Sequence, residues 1–279
     1  MPVANHNDQV KKYYNRSRWG YGLVMRDSQH FGYHPEGQPV SEWEAQQLMQ
    51  DQIAIHLNLK AGDKVLDAGC GRGVVAIYLA AKTQAEIFGV DIVPFEIDKA
   101  KQLARKSGVE QFTYFDIRDY TQTQLGDASF DAVYTMETLS HAQNLDAALG
   151  EFWRVLKKQG RCVFFEYTLE PEAQFSPYEQ QVLEAVIEGS SMTGLWDFRV
   201  GNFEKKLAKA GFTQITNTDI SWRIEPSLRR LRNWAYLPYA LVKLCSRQKA
   251  FPNLTAAVEF HKLGHKGLVH YNIFSAQKA

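Results

Sequence analysis

The chain has 279 residues, with 32 Lys and Arg set against 31 Asp and Glu. That length points to one large domain, or a domain with a lid, with ample material for a core, and the even charge excludes the basic surface of a nucleic-acid-binding protein. The opening MPVANHNDQVKKYY lacks a signal-peptide stretch, no window approaches the ~18 consecutive apolar residues of a membrane span, and three cysteines (Cys70, Cys162, Cys245) are too few and wrongly spaced for metal ligands. The expectation is a cytoplasmic protein without a metal.

Residues 1–58 read as an aromatic cap ahead of the first strand. KVLDAG (64–69) is a short apolar run ending in turn residues, and VVAIYLAAKT (74–83) has helical character. AEIFGVD (85–91) is a second strand, and PFEIDKAKQLARKSG (94–108) is an amphipathic helix stopped by Gly108. QFTYFD (111–116) and FDAVYTM (130–136) are strand-like, LDAALGEFWRVLKKQG (145–160) is helical to its glycine, and RCVFFEY (161–167) is the next strand. Short apolar strands alternating with helices predict βαβ units, hence an α/β fold with a doubly wound parallel sheet. Residues 59–170 form this core. Beyond it, 171–200 and NFEKKLAKAGF (202–212) look helical, TQITNTDI (213–220) alternates like a half-buried strand, and 222–266 reads as a helical lid before the closing strand GLVHYNIFSAQKA. Residues 171–279 would thus supply the lid and the last two strands. Pro238 is expected to interrupt any single long helix in the lid.

The strongest motif is VLDAGCGRG (65–73), in which Asp67, Gly69, Gly71 and Gly73 follow a strand and precede a helix. Glycines there let backbone turn tightly and approach a ligand, at the strand ends where open α/β sheets bind ligands. Asp91 closes the next strand, where a carboxylate can accept from both ribose hydroxyls. Asp116 closes the third, where it could receive an adenine amino group. The spacing G-x-G-x-G disfavours a dinucleotide, and no Walker lysine is present. Cys70, between two of the glycines, is not expected to act as a thiolate.

VLDAGCGRG, GVDIV, FDIRD and EFWRVLKKQG together resemble the successive motifs of the class I S-adenosylmethionine (SAM)-dependent methyltransferases. The resemblance implies a Rossmann-like, seven-stranded mixed sheet with an antiparallel last strand, and SAM as cofactor with S-adenosylhomocysteine as product. It puts Asp67, Gly69, Cys70, Gly71, Asp91, Ile92 and Met136 at the cofactor, with Asp116 and Ile117 flanking the adenine. KKQG (157–160) departs from the family's Pro-Gly-Gly turn. Tyr14, Trp19-Gly20 and HFGY (30–33, with Tyr33) resemble the N-terminal cap of sterol and tocopherol C-methyltransferases, and METLSHA (136–142) resembles that group's fourth motif.

The acceptor this implies is a hydrophobic small molecule, isoprenoid, sterol-like or prenylated, methylated at carbon. An alkene would become a carbocation on methylation, which aromatic faces stabilise, and a base must then remove a proton. Glu137 and His141 are the candidate pair, converging if 138–145 begins a helix, with Tyr14, Tyr33, Trp19, Trp196 and Trp222 as candidate acceptor contacts. Glu137 could instead cap a helix N-terminus, and His141 could simply pack. An amine or phenol acceptor, or a SAM-binding protein without catalysis, stays open. So does a diphosphate held by Arg229, Arg230 and Arg232, against a solvated helix face. LRRLRNWAYLPYALVKLCSR (228–247) mixes cations, aromatics and leucines as interfacial helices do, or as a lid packed on the core. The oligomeric state is open.

Overall fold

The structure is a computed structural model that describes residues 6–24 and 28–279, with the side chains of all of these but 18–24. Two helices, α1 (His6–Val24) and α2 (Glu42–Leu57), precede the sheet. Ser41 and Glu44 start α2 with a reciprocal capping box. The core then alternates: β1 (Lys64–Ala68), α3 (Val74–Thr83), β2 (Glu86–Asp91), α4 (Pro94–Ser107), β3 (Thr113–Ile117), β4 (Phe130–Met136), α5 (Leu145–Val155) and β5 (Leu156–Leu169). After it come α6 (Pro177–Gly189), α7 (Asn202–Lys209), β6 (Phe212–Asp219), α8 (Ser221–Leu244), α9 (Pro252–His265) and β7 (Val269–Lys278).

The seven strands lie in the order β3-β2-β1-β4-β5-β7-β6. All pairings are parallel except those of β7, which runs antiparallel to both β5 and β6. β1 shows why: Val65, Leu66 and Ala68 are fully buried and Asp67 nearly so, the continuous burial of a strand covered on both faces. Strand order reverses between β1 and β4, so the loops leaving their carboxyl ends part there and open a crevice. Gly108 stops α4 as expected, in a left-handed conformation (φ +68°) with its N–H on the Ala104 and Arg105 carbonyls.

Two boundaries differ from expectation. α5 ends at Val155, not at Gly160, and Leu156 passes directly into β5 opposite Phe130. Lys157 pairs with Asp131 of β4 at 2.8 Å, which holds the segment on the sheet. A Cβ on Gly160 would meet Leu156 and the Lys157 carbonyl at 2.8 Å, so this glycine permits close approach rather than stopping a helix. α8 also runs unbroken through Pro226 and Pro238. Pro238 cannot donate to the Trp234 carbonyl, but both residues lie on the exposed side, where water can serve that group. Between 171 and 200, only α6 is α-helical, flanked by short 3-10 turns at Glu172–Gln174 and Thr193–Asp197.

Candidate active site

The loop between β1 and α3 forms the floor of a cleft of about 210 Å³ at the switch point. Gly69 has φ +87°, and a Cβ there would lie 2.1 Å from the Thr138 hydroxyl, so only glycine lets this loop meet the loop after β4. The Gly69 and Cys70 N–H groups donate to the Val90 carbonyl of β2. Asp91 receives the Gly71 N–H on Oδ2 (3.0 Å) and the Val93 N–H on Oδ1 (2.8 Å), which locks its carboxylate across the cleft mouth. Burial raises its pKa to about 6, although both N–H groups work the other way. Asp67 sits deeper, beside Tyr134, with Oδ2 buried and without a hydrogen-bond partner. Burial raises its pKa to about 7. Burial also pushes the Cys70 thiol up, so a thiolate is disfavoured there.

Asp67, Gly69, Cys70, Gly71, Asp91, Ile92 and Met136 all line this cleft. Asp116 and Ile117 do not. Asp116 is exposed and paired with Arg118 at 2.7 Å, and Ile117 is half exposed. The strand alternates, so Phe115 points inward and Asp116 outward. The Arg118 N–H then bonds the Asp91 carbonyl, and the turn that follows delivers Asp119 and Tyr120 to the cleft. The second acid of FDIRD was the available signal.

The loop after β4 carries Glu137 in a left-handed conformation (φ +54°). Only Leu139–His141 form a 3-10 turn and α5 starts at Leu145, so Glu137 and His141 do not share an α-helical face. A second, predominantly apolar cavity of about 300 Å³ adjoins the cleft, and Tyr14, Gln29, Glu137 and His141 line both. Glu137 Oε1 accepts from the Tyr271 hydroxyl (2.9 Å) and the Phe31 N–H (3.4 Å), and Oε2 faces the Tyr167 hydroxyl (3.4 Å). Burial outweighs these donors and raises its pKa to about 7. His141 is also buried, and burial lowers its pKa to about 4. Its Nδ1 faces the Ser191 carbonyl at 3.0 Å, which can only accept, so the proton belongs on Nδ1. Nε2 then accepts from the Tyr14 hydroxyl at 3.1 Å.

Some residues of this site carried no motif. Glu166 of β5 is fully buried, and its Oε1 accepts the Thr138 and Leu139 N–H groups at 2.8 and 2.6 Å, pinning the turn behind Glu137. Burial raises its pKa to about 8. A lone acid inside the apolar run RCVFFEY was the signal. Tyr167, Tyr271 and Phe260 meet only through tertiary packing, with ring centroids 5.1 to 5.7 Å apart along the chain of contacts.

The aromatics chosen for the acceptor mostly lie elsewhere. Tyr14 lines the cavity. Trp19 lies outside the described side chains. Tyr33 packs under Arg223 and lines neither space. Trp196 belongs to a separate pocket with Phe175 and Arg199, and Trp222 is 72 % exposed against His265. On a helix packed by one face, residues outside that face point to solvent whatever their type. Trp234 lines the cavity instead. Arg229 and Arg230 pair with Glu225 and Glu42, Arg232 bonds Asn233, and none lines the cavity. Among the described residues, Glu225, His261 and His265 bring donor atoms within 4.8 Å of one another and line neither space.

The residues fit SAM. Carboxyl groups dominate the cleft, the one guanidinium lining it among the described residues (Arg72) pairs with Glu96 at 3.0 Å, and the orphan Asp67 oxygen is suited to an ammonium. A sulfonium with an amino group is the matching cation.

A family model described as a methyltransferase domain matches residues 59–211. A SAM-dependent Diels-Alderase, iccD, of Talaromyces variabilis is 33% identical over 88% of this chain and 87% of its own length. The sterol 24-C-methyltransferase of Pneumocystis carinii (strain B80) is 29% identical over 78% of this chain and 57% of its own length. Among solved structures, the [4+2]-cyclase SpnF superposes with a TM-score of 0.79 at 25% identity, covering all of this chain and 98% of that one. With SAM-type residues around the switch-point cleft and more than half its length inside the family model, the chain belongs to the class I SAM-dependent methyltransferases.

Proposed function

We propose that the chain methylates carbon in an apolar, alkene-bearing acceptor of isoprenoid or sterol type, with Glu137 as the base. One observation carries this reading: Glu137 is a buried carboxyl on the boundary between an acidic cofactor cleft and an apolar cavity. When bound, SAM supplies a methyl group on a positive sulfur. Asp91 would hold the ribose and Asp67 the amino group. Asp119 and Tyr120 are the candidates for the adenine end.

The aromatic rings of Tyr167, Phe31 and Phe260 offer faces that stabilise a cation in the acceptor, each by ~0.5–2 kcal/mol. Glu137 then takes the proton that restores the double bond. Its pKa of about 7 suits that task, because a base works best when its pKa is near the working pH. Tyr167 and Tyr271 keep the carboxylate aimed. His141 stays neutral and orients the Tyr14 hydroxyl, which makes it a positioning residue rather than the second member of an acid–base pair.

Glu137→Gln should lower turnover by ~10²–10⁴-fold while S-adenosylhomocysteine affinity holds, assayed with prenyl and sterol alkenes by product mass and released S-adenosylhomocysteine. Full turnover by this variant would remove Glu137 from the chemistry. A second reading is favoured by the 33% identity to a Diels-Alderase. The same cavity could fold a linear polyene for a [4+2] cycloaddition in which no methyl is consumed. A product of unchanged mass, formed from a polyene by wild type and Glu137→Gln alike, would establish that reading over methyl transfer. Catalysed product of either kind excludes a protein that only binds SAM.

A further inference from the structure

Helix α8 is apolar on two opposite faces. Ala235, Tyr239 and Val242 are buried, and Ala235 and Tyr239 pack with Ala257 and Val258 of α9. On the other side, Trp234, Leu237, Leu241 and Leu244 are 61, 77, 67 and 83 % exposed. Their spacing of three or four residues stacks them into one stripe along the helix. Single exposed leucines are ordinary, but a continuous stripe with a tryptophan marks a surface that meets something apolar.

Charge identifies the occupant. From Pro226 to Val258 the chain carries six Lys and Arg and no Asp or Glu, within a sequence that is balanced only as a whole; Arg229, Arg230 and Lys249 pair with Glu225, Glu42 and Glu188 of other segments. Arg232, Lys243 and Arg247 stack over Tyr236, Tyr178 and Phe251, with 4.9 to 5.9 Å between cation and ring. Exposed leucines with a tryptophan, flanked by cations on aromatic rings, are the composition of a helix lying in a headgroup layer. A second copy fits less well, because a two-fold contact would set this acid-free stretch against itself.

We infer that the exposed face of α8, continued by the segment to Phe251, docks on an anionic lipid surface. Trp234 belongs both to the stripe and to the cavity wall, and Leu228, Leu231 and Ala235 face the cavity from the same helix. α8 therefore separates the proposed lipid contact from the acceptor cavity by one helix thickness. An apolar acceptor could pass along it without crossing bulk water. That last consequence rests on the proposed acceptor class, whereas docking itself does not.

The test needs no acceptor and no turnover. The full chain is mixed with vesicles of phosphatidylcholine alone, or of phosphatidylcholine and phosphatidylglycerol in equal parts, and floated on a density gradient. Wild type should float with the anionic vesicles, weakly with the neutral ones, and less as salt rises. The double variant Leu237→Glu/Leu241→Glu should stay at the bottom. Lys243→Gln and Arg247→Gln should each weaken binding about fivefold. S-adenosylhomocysteine affinity, measured on each variant, reports that the fold is intact. Wild type left unbound, or the leucine variant floating like wild type, overturns the inference. Wild type that sediments as a dimer dissociated by the leucine substitutions also overturns it and assigns the face to a second copy.

Discussion

The two spaces that meet at Glu137 are built in different ways. The floor of the cofactor cleft is made largely of backbone: the Gly69–Gly73 loop, the N–H groups of Gly71 and Val93, and the Asp91 carboxylate they hold all come from within thirty residues of one another, and Tyr14, Asp119 and Glu137 from outside that span complete its walls. The adjoining apolar cavity is made of side chains from α1, β5, α6, α8 and α9 and the segment around Phe31, drawn from almost the whole chain. A site of the first kind must keep its residue types, because a turn at φ +87° with no room for a Cβ admits little besides glycine. A site of the second kind needs only volume and apolarity, and can be retuned by changing any of its walls. Hence the cleft marks the family, while the cavity is the part that, on the proposed function, would decide the acceptor.

Each side can be broken separately. The largest effect should come from Asp91→Ala. If Asp91 holds the ribose as proposed, the change removes two charge-assisted hydrogen bonds to the cofactor, each worth about 1.5–3 kcal/mol, so S-adenosylhomocysteine should bind a hundredfold more weakly or worse by calorimetry. Acceptor binding should persist, and parallel loss of both would show that the two spaces are not independent. Filling the cavity with Ala256→Phe is the mirror experiment. It should raise the acceptor KM about tenfold, roughly 1.4 kcal/mol, with cofactor affinity unchanged.

A smaller effect concerns the acid beneath both spaces. The folded-state pKa of Glu166 (about 8) lies above that of a free glutamate, as do those of Glu137 and Asp67 (each about 7). A raised carboxyl pKa means that the folded state holds a proton the unfolded state has released. That stabilisation is complete at acid pH and is lost as pH rises through the folded-state values. The buried His30 and His141, lowered to about 4, work the other way up to about pH 6.5, so the melting temperature should fall between about pH 6.5 and 9, and Glu166→Gln should flatten the upper part of that decline. An unchanged slope in thermal melts would mean that Glu166 is already ionised. The smallest effect is expected from Arg229→Ala, Arg230→Ala and Arg232→Ala. These side chains face away from the cavity, so acceptor KM should stay within about twofold for prenyl alcohols and prenyl diphosphates alike. A large rise confined to diphosphates would bring the arginines into the site.

The sequence by itself determined the parts whose chemistry is local. Alternating apolar strands and amphipathic helices specified the α/β core, and the strand–glycine–helix junction at 65–73 with Asp91 specified a cofactor cleft. Each depends on periodicity, or on backbone angles that one residue type allows. Only the tertiary structure decided the rest. It turned Asp116 outward and Asp119 inward, because a strand's alternation and the turn after it set which acid faces the crevice. It made Glu137 and His141 neighbours of one boundary without a shared helix. It brought Tyr167 and Tyr271, 134 residues beyond Glu137 in the case of Tyr271, onto one carboxylate. It left Trp196 and Trp222 outside the cavity that Trp234 enters. An aromatic residue states that it can be buried, but which surface it buries against depends on how elements far apart in the chain pack.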